Sequence, residues 1–82
     1  MNHIVVSWDI DVRWTVETIR NGECEAATGD VLECQWLPYR RALSLARELG
    51  RKMGLRVAVY PRRGGMFWIP VDASSPVKGG AA

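Results

Sequence analysis

Residues 38–53, PYRRALSLARELGRKM, are the longest stretch of this chain in which apolar residues recur at helical spacing. On a wheel of 3.6 residues per turn, Tyr39, Ala42, Leu43, Leu45, Ala46, Leu49 and Met53 share an arc of roughly 160°. Arg40, Arg41, Ser44, Arg47, Glu48, Arg51 and Lys52 occupy the remainder. Pro38 suits the first turn, where its missing N–H costs nothing. Glu48 and Lys52 are an i,i+4 pair in the favourable order. Basic residues in the last turn complement the helix dipole, and Gly54 is placed to end the helix in a left-handed conformation. A helix with one apolar face must bury it, and with no second amphipathic helix in 82 residues the partner has to be a sheet.

The rest of the chain supplies short extended segments. Residues 4–8, IVVSW, are β-branched and apolar. In 13–20, RWTVETIR, Trp14, Val16 and Thr18 alternate with Arg13, Thr15 and Glu17, a period of two. Asn21-Gly22 follows, a dipeptide that favours a type I′ turn because both residues tolerate positive φ, so 13–20 and 23–28 are expected to pair as a hairpin. The rival for 12–20 is a helix capped by Asp11 with Val12, Val16 and Ile19 on one face. Four β-branched residues within 15–19 count against it. Residues 31–36, VLECQW, alternate again and read as a strand with Leu32, Cys34 and Trp36 on its apolar side. Residues 55–60, LRVAVY, and 66–71, MFWIPV, are two more strands about an RRGG turn, and Pro70 places the second at an edge.

The expected fold is therefore α+β: a two-layer sandwich of order β-β-β-α-β-β, its sheet mainly antiparallel, with the amphipathic helix on one face. That order has one strand fewer than the extended segments named above. Residues 1–72 form the single domain, and the small, polar, glycine-rich tail 73–82 is expected to be disordered. A chain of this length buries only about 60–65% of its unfolded surface. With 48% hydrophobic residues and four tryptophans, it has enough apolar area for a core without a metal or disulfides. Cys24 and Cys34 have neither metal-ligand nor redox-motif spacing and are expected to be free packing residues. No leader or membrane-spanning run is apparent, so the expected location is the cytoplasm.

Charge is divided unevenly. Residues 1–37 carry Arg13 and Arg20 against seven carboxylates, a net −5, whereas 38–82 carry nine basic residues against Glu48 and Asp72, a net +7. Such a split marks either an anion-binding face or two halves that neutralise each other. Catalytic constellations are missing: His3 is the only histidine, and no motif places it beside a nucleophile. Asp9-x-Asp11 is the one carboxylate pair that could hold Mg²⁺, although two aspartates are also ordinary turn residues. The basic residues are the better lead. Arg40, Arg47 and Arg51 fall within roughly 40° on the helix wheel, and Arg56, Arg62 and Arg63 add charge on the next strand and turn. Beside them Trp68, with Phe67 and Tyr60, could stack on bases.

Two resemblances attach to these residues. Ile4-Val5-Val6, Trp14-Thr15-Val16, Asn21-Gly22, Ala42 through Leu49, Val57-Ala58-Val59 and Gly64-Gly65 together resemble a family of very small bacterial α+β domains of unknown function. This covers most of 3–69 and implies the architecture alone. IVVSWDI at 4–10, VLECQWLP at 31–38 and RVAVYP at 56–61 resemble the ferredoxin-like small subunit of the CRISPR adaptation complex, some members of which are metal-dependent nucleases. That resemblance would make Asp9 a metal ligand, but it asks for a helix at RWTVETIR, where the residues have strand character.

The functional expectation is a small cytoplasmic binding protein, not an enzyme and without cofactors. It would present Arg40, Arg47, Arg51, Arg56, Arg62, Arg63 and Trp68 to nucleic acid or a nucleoprotein complex. The alternative is a protein–protein inhibitor or adaptor of the kind phages and mobile elements carry, acting on a host nucleic-acid-handling machine. A Mg²⁺-dependent nuclease with Asp9 as ligand is the lesser alternative. No membrane partner is expected, and exposed strand edges leave room for a homodimer.

Overall fold

A computed structural model describes residues 2–69. The expected domain limit at 72 and the tail at 73–82 lie outside the described residues. The chain forms β1 (His3–Asp9), β2 (Arg13–Arg20), β3 (Glu23–Ala26), α1 (Tyr39–Met53), β4 (Val57–Tyr60) and β5 (Phe67–Ile69), with a short 3-10 helix, Val31–Cys34, between β3 and α1. The five strands make one sheet in the order β3-β2-β1-β4-β5. β1 and β4 are parallel, which requires the crossover that α1 supplies, and the other neighbours are antiparallel. The expected two-layer α+β architecture is the observed one, with β5 at an edge.

Local chemistry accounts for most of the elements. Asn21 and Gly22 both have positive φ, 53° and 83°, and β2 and β3 close around them as a two-residue hairpin, so 13–20 is a strand and not a helix. Gly54 ends α1 at φ 70° and donates its N–H to the Gly50 carbonyl. Pro38 is extended and sits just before the helix, and its carbonyl accepts the first helical N–H, from Ala42. Gly64 and Gly65, both at positive φ, let β4 and β5 turn back on each other.

The exception is 31–36, where the expected strand is replaced by the 3-10 helix. Asp30 nucleates it: its carboxylate accepts the Leu32 N–H at 2.9 Å and its carbonyl the Glu33 N–H at 3.1 Å. Instead of joining the sheet as a strand, the chain only touches it. Trp36 N–H reaches the Val12 carbonyl at 2.7 Å and Leu37 N–H the Trp14 carbonyl at 3.2 Å. The alternation is therefore misleading, since Cys34 is buried while Leu32 and Trp36 face outward.

Register divides the sheet residues between two faces. Ile4, Val6, Val16, Val57, Val59 and Ile69 lie under the helix with Ala42 and Ala46. Burying each Val or Ile contributes about 1.5–3 kcal/mol, and the two alanines let α1 lie close to the strands. Thr18 shares this face, and its buried hydroxyl has no hydrogen-bond partner. The opposite face carries Val5, Ser7, Thr15, Ala58, Tyr60 and Trp68; α1 does not lie on it, and the 3-10 helix borders it at β2, where Val31 and Cys34 line a depression with Thr15 and Glu17.

Candidate nucleic-acid interface

Two constraints decide where the arginines go. Leu37 is tied to Trp14 before α1 begins, and Leu55 and Arg56 are tied to Gly50 and Ile4 after it ends. The helix therefore starts at the end of the molecule where β1 finishes and runs back along the sheet. β4 is parallel to β1 with Tyr60 opposite Ser7, so the 61–66 turn lies at that same end. Three loops meet there: 10–12, 35–38 and 61–66.

The stripe on α1 is real in three dimensions. Arg40, Arg47 and Arg51, with Leu43 and Ser44, line a shallow depression of about 380 Å³ into which no carboxylate projects. Its position follows from the wheel. Gly50 abuts Val57 and Leu55, so this side of the helix faces β4 and β5. Leu45, Arg41 and Glu48 lie toward the 3-10 helix instead. Among the described residues none of the three stripe arginines is in an ion pair; Arg20–Glu25, at 3.9 Å between exposed side chains, is the one that forms.

Arg62 is held near the start of the stripe. Its guanidinium lies 4.5 Å above the Trp8 ring, Trp8 meets Trp14 edge-on at 5.6 Å, and Trp14 meets Tyr39 at 4.6 Å. This aromatic run connects the 61–66 turn to the first residue of α1, next to Arg40. A cation over an indole is worth about 0.5–1 kcal/mol when exposed, enough to bias where Arg62 points. Arg63 sits beside it at the turn tip, exposed.

Arg56 and Trp68 belong elsewhere. The Arg56 guanidinium lies 4.0 Å over the Trp68 ring, and His3 meets the same ring edge-on at 5.4 Å. Trp68 pairs with Ala58, on the sheet face away from the helix. The structure thus aligns Arg40, Arg47 and Arg51 on α1, holds Arg62 over Trp8 at the end where the helix starts, and puts Arg56 and Trp68 on the opposite sheet face. The period-two alternation of β4 carries that signal in the sequence: Val57 and Val59 point to the helix, so Arg56 and Ala58 point away.

Asp9 is the last residue of β1 and opens the turn that follows. Its carboxylate accepts the Asp11 N–H at 2.7 Å, the Asx geometry aspartate favours at the start of a turn. No group of three or more potential metal-ligating side chains occurs among the described residues. None of their helices is long and apolar enough to cross a membrane.

Sequence reasoning missed that Ile10, Val31, Leu32 and Trp36 are each exposed, Leu32 toward α1 and Val31 toward the depression lined by Thr15 and Glu17. The signal available was composition: residues 21–39 contain four carboxylates and no basic residue. Comparison with protein-family models, curated proteins and solved structures returns no match.

Proposed function

We propose that this protein is a non-catalytic nucleic-acid-binding domain that grips the phosphate backbone with the flank formed by α1 and the 61–66 turn. The supporting observation is the alignment of Arg40, Arg47 and Arg51 along a depression without a carboxylate and without ion pairs. Arginines left unpaired on one side of a helix keep their guanidinium donors available for phosphate oxygens. Arg62 and Arg63 extend the same flank past the helix start. Backbone contacts of this kind give affinity without base specificity.

The test is fluorescence anisotropy with labelled single- and double-stranded oligonucleotides, between about 50 and 200 mM NaCl. Binding should weaken steeply with salt. Replacing Arg40, Arg47 and Arg51 by Gln should flatten the log–log slope by about 2–3, given a contribution of about 0.7–0.9 per phosphate contact. Arg56→Gln, on the other face, should leave the slope in place. No binding at the lowest salt, or an unchanged slope in the triple variant, would remove this function.

A further inference from the structure

Trp68, Arg56 and His3 form a cluster that the α1 stripe does not use. The Arg56 guanidinium lies over the Trp68 ring, and His3 meets the ring edge-on. Trp68 stands opposite Ala58, and Ala58 opposite Val5, so the cluster sits on the sheet face away from the helix. Tyr60 is the next residue of β4 on that face, opposite Ser7, and it is exposed. Phe67, paired with Val59, belongs to the other face. Phe67 and Trp68 are neighbours in sequence on different surfaces, whereas Tyr60 and Trp68 come from different strands and share one.

The charge of this area has one sign. Among residues 3–7, 56–60 and 67–69, Arg56 is the only one with a formal charge. No described carboxylate pairs with it, and the indole is its contact. The carboxylates at the margin are engaged elsewhere. Glu17, opposite Val5 on β2, is hydrogen-bonded by the Cys24 thiol of β3, on the side away from β4. Asp9, past Ser7, accepts the Asp11 N–H in the turn. Ala58 is fully buried and Val5 nearly so, which leaves Tyr60, Arg56 and Trp68 as the large side chains above a floor of small ones.

These groups suit a base better than a phosphate alone. Every base has a π-face, so an aromatic ring on an open sheet face can stack it without regard to sequence. A guanidinium resting on an indole presents a second flat surface to a base. Bases in a duplex are already stacked on one another, so only a single strand can use such a surface.

We infer that this face stacks the bases of single-stranded nucleic acid on Tyr60 and on Arg56 held over Trp68. The inference rests on the nucleic-acid reading for its class of ligand but not on the stripe, which lies on the other side of the sheet. Phosphate contacts at the stripe are open to single and double strands alike, and base contacts at this face select the single strand.

The experiment compares, by anisotropy over the same salt range, a labelled oligothymidine with a duplex of equal length. The natural chain should bind the single strand more tightly. Tyr60→Ala should weaken single-strand binding about 5- to 150-fold, the worth of one stacked base, and leave duplex binding and the salt slope in place. Arg56→Lys should weaken it too, because lysine keeps the charge but not the plane. A natural chain that binds both forms alike, or an Arg56→Lys protein that binds the single strand as the natural chain does, overturns the inference. Both residues are exposed, so the replacements spare the core. Photocrosslinking of the natural chain to an iodouracil-bearing oligonucleotide needs no variant at all. Adducts should map to Tyr60 or Trp68, and a map that lacks both residues overturns the inference. A flattened slope in the Arg40, Arg47 and Arg51 triple variant beside a neutral Tyr60→Ala would keep the stripe reading and remove this one. The reverse pattern would keep this one and remove the stripe, and no binding of either oligonucleotide would remove both.

Discussion

Cys24 and Cys34 are chemically identical and have opposite surroundings. Cys34 is buried, with its sulfur 3.3 Å from the Thr28 hydroxyl. Cys24 is exposed on β3, where desolvation first, and then the hydrogen bond and charge of Glu17, push its thiol above its ordinary pKa. The folded chain thus holds this proton more tightly than the unfolded one. The resulting stabilisation is intact below the unfolded thiol's pKa and is lost as pH rises through the folded value. Alkylation by iodoacetamide should label Cys24 well before Cys34, with a pH midpoint above that of a free cysteine. Glu17→Gln should move the midpoint only part of the way back, because the larger cause remains. A midpoint at or below that of free cysteine would contradict the placement of Glu17. The same scale explains why alternation failed at 31–36. Leu32 and Trp36 look like one face of a strand, but Asp30 offers the backbone a nearer partner than any neighbouring strand does.

At the scale of elements, α1 carries two departures from an ideal helix. Its start has no side-chain cap and no acidic residue, and Arg40 and Arg41 stand where the helix dipole disfavours cations. That position costs stability and leaves Arg40 available for an anion, in keeping with the proposed role. The second departure is Gly50, in the helix interior, where glycine ordinarily costs about 1 kcal/mol relative to alanine. A Cβ there would come 2.8 Å from the Leu55 carbonyl oxygen and 3.2 Å from a Val57 methyl. The first neighbour is backbone and cannot swing aside. Gly50→Ala should therefore destabilise by about 1–3 kcal/mol in urea unfolding despite its helix propensity, whereas Ser44→Ala, on the exposed face, should be neutral or mildly stabilising. A more stable Gly50→Ala protein would show that the helix and β4 have room to separate. The strands and α1 were legible because their determinants are local: Asn21-Gly22, Gly54, the helical arc and the period of two. The close approach at Gly50 was not, since the residues involved meet only after the chain has turned back.

At the scale of the whole molecule, charge is uneven along the chain, net −5 in 1–37 and net +7 in 38–82. Arg40, Arg47 and Arg51 crowd one depression with no carboxylate in its lining, and one ion pair, Arg20–Glu25, forms among the described residues. Added salt should then relieve more repulsion than it weakens attraction. The melting temperature of dilute, monomeric protein should rise modestly between about 10 and 300 mM NaCl, a range over which the Debye length falls from about 30 Å to below 8 Å. A clear fall would mean that attraction between opposite charges outweighs repulsion along the arginine stripe.

The sequence by itself determined the class of fold, the helix with its arginine stripe, both hairpin turns and the uneven charge, because each depends on residues near one another in the chain. Only the tertiary structure decided which arginines share a surface. Parallel pairing of β1 with β4 brings Arg62 and Arg63 to the start of the stripe, and the alternation of β4 sends Arg56 and Trp68 to the opposite face. It also decided that Leu32 and Trp36 face solvent, because the Asp30 cap and two backbone hydrogen bonds to Val12 and Trp14 draw 31–37 along the sheet edge without making it a strand.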